Sequence, residues 1–167
     1  TGVKDTAGNA LSSQYDNSTG FAPVDLTAPT VTSVSTTVAI TDNITVTFSE
    51  AMEPSYITAD ESTGCGAYIQ VSSDNFSTCV KMSSGSGWIP GSNFNKTFTL
   101  DPSDNLTYST TYKTRVTTGV KDTAGNTLSS QYETSTGFKT LGVFVAVGSS
   151  GNIVISTNNG SSFDNST

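Results

Sequence analysis

The string TGVKDTAGNTLSSQYETSTGF occupies residues 118–138, and the string TGVKDTAGNALSSQYDNSTGF occupies residues 1–21. The two copies start 117 positions apart and differ only at three pairs: Ala10/Thr127, Asp16/Glu133 and Asn17/Thr134. Near-identity over a string of this length predicts a tandem-repeat protein.

The repeat divides the chain into three units. Residues 1–21 are interpreted as the last hairpin of a preceding repeat, and residues 22–138 as one complete repeat. Residues 139–167 have a different texture and are expected to form a β-hairpin. The segment at 22–30, APVDLTAPT, contains two prolines that keep a chain extended, so it is interpreted as a short, semi-rigid linker.

Composition favours an all-β protein and is unusual for a cytosolic enzyme. Ser and Thr make up roughly a third of the residues, His is absent, and only 13% of residues are charged. A net charge of −7 would repel phosphate backbones, which makes nucleic acid an improbable partner. The longest apolar run, near Val143–Val147, is far shorter than the roughly 20 residues that cross a bilayer, so no membrane span is expected.

Period-two alternation predicts the strands. In Asn43–Ser49 the side chains of Ile44, Val46 and Phe48 are expected to face inward. The string SEAMEP at 49–54 breaks the alternation and is expected to carry the chain across the molecule. Further strands are predicted at Ala67–Val71, Cys79–Met82, Thr97–Leu100 and Thr111–Thr117. Short strands separated by turn-rich segments are typical of a β-sandwich.

These landmarks resemble a known family. Ala28-Pro29-Thr30, then ITVTFSEAMEPS at 44–55, then LTYSTTYKTRVTTGVKDTAGNTL at 106–128 are similar to the bacterial Ig-like repeat that carries FSEAM and KDxAGN strings. The resemblance implies an Ig-like Greek-key β-sandwich without catalytic residues. It also implies that Tyr112 forms a tyrosine corner, in which the hydroxyl holds the preceding crossover.

The two cysteines leave two interpretations open. Cys65 and Cys79 can form a disulfide, which would point to an oxidising compartment, or they can contribute to a metal site. A chain without His supplies few further ligands for the second. Trp88 lies between glycines in the same elaborated region, and it is either an anchor for a small core or an exposed contact for a partner.

The turn KDTAGN at 121–126 is interpreted as a structural corner that closes one end of the sandwich. Asp122, Gly125 and Asn126 are predicted to close it, because Asp caps turn amides and Gly accepts a positive φ. Asp25, Glu50 and Asp122 are expected near one pole of the sandwich, where they form a candidate calcium site. The alternative is that Asp122 only caps the turn while Glu50 is solvated.

Residues 143–163, VFVAVGSSGNIVISTNNGSSF, resemble one blade of an Asp-box β-propeller. Ser156, Asn158, Gly160 and Phe163 stand at the box positions, with Asn in place of Asp and Phe in place of Trp. The resemblance implies a structural turn and no glycosidase activity, since one blade cannot close a propeller.

The sequence therefore predicts a non-catalytic module of an extracellular or surface-exposed bacterial protein. We expect a stalk or filament building block, whose exposed ends are covered by the central sandwich or by strand addition to a neighbouring copy. The alternative is an adhesin module that binds a glycan or a surface protein through its loops.

Overall fold

The computed structural model describes residues 2–13, 16–17, 20, 23–84, 95–148, 152–156 and 160–166. These residues form strands and one 3-10 turn at Pro54–Tyr56. The strands are β1 Val31–Val34, β2 Thr37–Val38, β3 Ile44–Phe48, β4 Ile69–Ser72, β5 Thr97–Leu100, β6 Thr111–Val116, β7 Tyr132–Glu133, β8 Phe138–Thr140, β9 Phe144–Val147, β10 Ile153–Ser156 and β11 Asp164–Ser166.

The central sandwich consists of two facing sheets. One sheet has the order β1-β3-β5, and the other has the order β2-β8-β6-β4 with β7 paired to β6. The pairing of β2 with β8 is parallel, and the other pairings are antiparallel. Since strands that neighbour each other in space are not consecutive in sequence, the chain crosses between the sheets, as in a Greek key.

Alternation in β3 builds the core as the sequence predicts. Ile44, Val46 and Phe48 are buried, and the intervening threonines are half-buried. The ring of Phe48 meets that of Phe98 edge-on at 5.9 Å, which joins β3 to β5. The two sheets enclose a single core, whose largest fully buried side chains are Phe48, Phe98, Phe138, Ile44, Met52, Ile69, Met82, Leu100, Val38, Val46, Val71 and Val116.

The tyrosine corner is present. The Tyr112 hydroxyl accepts a hydrogen bond from the Thr107 amide at 3.0 Å, and its ring stacks on Phe138 at 5.6 Å. Gly137 lies beside this stack with φ +69°, and a Cβ there would collide with the Tyr112 carbonyl oxygen. The corner thus fixes the crossover into β6 and requires glycine before β8.

The predicted strand at Cys79–Met82 is wrong. The amides of this segment bond to three different places: Cys79 to the Thr63 carbonyl, Val80 to the Val71 carbonyl and Met82 to the Asp60 carbonyl. A strand needs one continuous partner along its length, whereas the amides of this segment bond to β4 and to two separate loop residues.

The terminal units have different surroundings. Residues 2–13 form a hairpin with a Lys4–Ala10 bridge, and Val3 and Leu11 in it are 68% and 45% exposed. At the other end β9, β10 and β11 form a separate antiparallel sheet in the order β11-β10-β9. The Ser156 hydroxyl accepts from the Gly160 amide at 2.8 Å, while Asn158 of the Asp-box resemblance lies outside the described residues.

Candidate metal centre at the linker junction

The KDTAGN turn is closed by one carboxylate. Oδ1 of Asp122 accepts hydrogen bonds from the amides of Ala124 and Asn126, each at 2.8 Å, and Oδ2 accepts from the Asn126 side-chain amide at 2.8 Å. Gly125 takes φ +95°, a conformation that glycine adopts without strain. The three residues that the sequence assigns to this corner therefore act together in it.

The same turn forms in the first copy, where residues 4–9 are all exposed. Oδ1 of Asp5 accepts from the amides of Ala7 and Asn9 at 2.9 Å, and Gly8 has φ +88°. The hydrogen bonds from Asn9 lower the pKa of the exposed Asp5 carboxyl. Because the geometry is the same in a solvated hairpin and in a sandwich, the turn is encoded within its own six residues.

The string SEAMEP holds the second turn against β3. Met52 and Asp122 form an antiparallel bridge, and the Glu53 amide bonds to the Lys121 carbonyl at 2.9 Å. The Thr123 amide bonds to the Ala51 carbonyl at 3.2 Å. This docking carries Glu50, one residue before Ala51, to the side of Asp122.

The linker closes over the same place. The Asn126 side-chain amide donates to the Asp25 carbonyl at 3.1 Å, and the Asp25 carboxylate accepts from the Thr27 amide at 2.9 Å. Further along, Pro29 is buried and Thr30 exchanges hydrogen bonds with Ser49 at 2.9 and 3.0 Å. The linker is thereby fixed to the sandwich from Asp25 onward.

Three carboxylates meet where linker, SEAMEP and turn converge. Oxygens of Asp25, Glu50 and Asp122 all lie within 4.8 Å of one another, with Asp25 exposed, Glu50 half-buried and Asp122 buried. Burial first, and then the charges of Asp25 and Asp122, raise the pKa of Glu50. Burial would also raise the pKa of Asp122, but hydrogen bonds from Asn126 and Ala124 outweigh it and lower that pKa.

This arrangement suits a hard cation. Calcium binds carboxylate and carbonyl oxygens and takes six to eight of them, and water can supply those that the protein does not. The three carboxylates concentrate negative charge, and within the described part of the chain no Lys or Arg forms a salt bridge with them, which matches that preference. Asp25, Glu50 and Asp122 are the residues that would hold the ion.

The cysteine pair has another role. Cys65 and Cys79 form a disulfide with Cα atoms 5.2 Å apart, so their sulfurs are not metal ligands. In the loop that this disulfide closes, the Asp74 carboxylate accepts hydrogen bonds from the Thr78 amide, the Thr78 hydroxyl and the Ser72 hydroxyl. These bonds lower the pKa of Asp74 to about 2. Trp88, the predicted anchor or partner contact, lies outside the described residues.

One surface feature has no signal in the sequence. A groove of about 340 Å³ runs between β1 and residues 132–137 and is lined mainly by hydroxyl side chains with Tyr132. Serines and threonines there look the same in sequence as on any solvated strand, so only the separation of the sheets at this edge reveals the groove.

Family comparison agrees with the fold. The family profile of the bacterial Ig-like domain matches residues 22–140. The chain belongs to the bacterial Ig-like domain family. No curated protein matches it.

Among solved structures, this Ig-like chain is similar to two of the surface layer protein SbsC. For SbsC domains 1–6 the identity is 16% and the TM-score 0.48, with 83% of this chain and 19% of that chain covered. For the N-terminal part of the bacterial S-layer protein SbsC the identity is 17% and the TM-score 0.48, with 84% and 33% covered. This chain thus spans about a fifth and a third of the two solved chains. Among the described residues of the Ig-like chain, no helix is long and apolar enough to cross a membrane.

Proposed function

We propose that this Ig-like chain is a non-catalytic structural module of an extracellular bacterial repeat protein and acts as one rung of a stalk or filament. The observation that carries the proposal is that the chain enters and leaves the sandwich at opposite poles. Domains with this property can be joined end to end through short linkers and extend in one direction.

Strand directions give the two poles. The entry pole contains the linker, SEAMEP and the KDTAGN turn, because Val31 at the start of β1 pairs with Phe48 at the end of β3. β8 runs antiparallel to β6, whose end leads to that turn, so β8 runs away from the entry pole. The exit pole contains the crossover into β6, where the Ser109 amide bonds to the Leu141 carbonyl.

Exposed side chains support the assignment of residues 1–21 to a preceding repeat. Val120 and Leu128 are buried in the sandwich core, whereas their counterparts Val3 and Leu11 face solvent. Identical sequence with opposite burial is expected if the first copy lacks its own sandwich here. Residues 22–138 are then the complete repeat and residues 139–167 a following β unit.

We propose that calcium stiffens the junction. An ion shared by Asp25, Glu50 and Asp122 would tie the linker to both SEAMEP and the turn, and so would restrict the angle between neighbouring repeats. The disulfide fits an oxidising compartment, which supports a location at the bacterial surface or outside the cell.

Strand addition between copies is the form of assembly that we propose. Residues 1–21 of one chain could replace residues 118–138 in the sandwich of another. This exchange would add no stability, because burying one string exposes the other. β9 lies at one edge of its sheet and its apolar residues are exposed, so it could receive a strand from another copy.

Small-angle scattering on chains with one, two and three copies of residues 22–138 tests the stalk. The compact size expected for a domain of this length predicts growth of the maximum dimension by about 35 Å per repeat. Growth that slows with each added repeat would show that the domains fold back on one another, and would reject the proposal.

The groove favours a second candidate, an adhesin module that binds a glycan. Hydroxyl side chains from β1 and residues 134–136, beside Tyr132, could hydrogen-bond and stack against a sugar. Titration of the isotope-labelled chain with oligosaccharides should then shift the amide signals of residues 32–36. Unchanged signals with every sugar would remove this candidate.

A further inference from the structure

We propose that the linker is a two-sided connector, in which Val24 and Leu26 pack against the exit pole of the preceding copy of the repeat. The inference rests on the proposed function, since it needs a preceding repeat. Its partner is specific: a second copy of this sandwich, contacted through the crossover loop that contains Tyr108.

Alternation in the linker creates the two sides. The Asp25 carboxylate faces the sandwich that follows, where it meets Glu50 and Asp122. Val24 and Leu26 flank it and are 76% and 82% exposed. Asp25 is thus fixed on the repeat that follows, while its two apolar neighbours remain in solvent and are not packed on that repeat.

The exit pole offers a matching surface. Tyr108 is 43% exposed there, in the loop that leads into β6. A preceding copy of the repeat would place this tyrosine close to the linker, because only Ala22 and Pro23 separate Phe21, the counterpart of Phe138, from Val24.

The chain contains its own example of such a contact. In sequence, Leu141 and Val143 stand as many positions after Phe138 as Val24 and Leu26 stand after Phe21. Leu141 is half-buried, and its carbonyl accepts from the Ser109 amide beside Tyr108. A residue at this distance from the last core phenylalanine thus lies against the exit pole when the sandwich is present.

The internal junction also differs from this example in one respect. Pro23 stands where Thr140 stands after the second copy, and proline cannot donate the hydrogen bond that the Thr140 amide gives to the Thr110 carbonyl. The contact that we propose is therefore apolar side-chain packing and does not continue the β-ladder.

A two-repeat chain tests the contact. This chain consists of residues 22–138 joined to residues 22–167. A complete repeat thereby replaces the N-terminal hairpin, and the sequence at the join stays almost the same. In this chain we expect nuclear Overhauser contacts between the Leu26 methyl groups of the second repeat and the Tyr108 ring of the first. The double substitution Val24→Ser and Leu26→Ser at that linker should lower the urea midpoint of unfolding.

Two controls complete the experiment. The same double substitution in the 167-residue chain should leave the midpoint unchanged, because both side chains are exposed there. Thr27→Ser, at an exposed polar position of the same linker, should change neither chain.

Two results together would overturn the inference. The double substitution would leave the urea midpoint of the two-repeat chain unchanged, and the Leu26 methyl signals of that chain would have the same chemical shifts as in the 167-residue chain. A two-repeat chain that is still twice as long in scattering would leave the proposed stalk intact, so the two failures can be told apart.

Discussion

Replacing Glu50 by Gln is expected to change stability in opposite directions with and without calcium. Without the ion, Glu50 is a half-buried carboxylate beside two others, with oxygens within 4.8 Å. Coulomb's law at an effective dielectric constant of about 20 gives about 3.5 kcal/mol of repulsion per pair at this separation. Exposure of Asp25 and ordinary salt reduce this, so we expect Glu50→Gln to stabilise the calcium-free protein by about 1–2 kcal/mol.

With calcium the order reverses. An ion at about 100 times its dissociation constant stabilises the folded state by about 2.7 kcal/mol, and loss of one carboxylate ligand removes much of that gain. Thermal unfolding in chelator and in millimolar calcium measures both effects. At about 2–4 °C per kcal/mol for a chain of this size, the variant should melt about 2–8 °C above the unmodified chain in chelator, and below it in calcium.

Glu53→Gln is the matched control. It removes the same charge from the same loop, but outside the carboxylate cluster, and should shift the melting temperature little in either condition. If Glu50→Gln melts below the unmodified chain in chelator, or if calcium leaves the unmodified chain unchanged, the reasoning about this site is refuted.

Three further predictions concern stability. Replacing Cys65 and Cys79 by serine should lower the free energy of unfolding by about 3 kcal/mol for a loop of this length, as measured from the urea midpoint. A loss well below about 1 kcal/mol would contradict this prediction. Leu128→Ala should cost about 2–5 kcal/mol, whereas Leu11→Ala, in the same sequence context but exposed, should stay within about 0.5 kcal/mol; equal losses would disprove the difference in burial. Because hydrogen bonds hold the folded-state pKa of Asp74 at about 2, below its ordinary 3.8, its contribution to stability is present above pH 3.8 and disappears as the pH falls toward 2. Asp74→Asn should flatten that part of the pH dependence of unfolding, and parallel curves for the two chains would speak against it.

Strand positions were predictable where one sheet face alone is buried. Ile44, Val46 and Phe48 alternate with threonines, and the structure buries those three side chains. The segment Cys79–Met82 also contains apolar residues, but a disulfide and scattered hydrogen bonds to β4 and to two loop residues hold it. Alternation indicates which side chains can be buried, and it does not indicate whether a continuous strand is available to pair with.

The candidate metal centre was predictable only in part. The predicted sandwich already places Asp25, Glu50 and Asp122 near one pole, and the structure brings their oxygens together. Their different burial, and the hydrogen bond from Asn126 to the linker that fixes Asp25, arise from contacts across 101 positions of sequence. No local pattern contains that information.

The two copies of the repeated string show what the sequence determines and what the tertiary structure determines. Sequence alone determines the KDTAGN turn, because Asp5 and Asp122 make the same hydrogen bonds to residues two and four positions further on. Tertiary structure alone decides that Val120 is buried while Val3 is exposed. A turn needs partners only within its own six residues, whereas removal of an apolar side chain from water needs surfaces that distant parts of the chain provide.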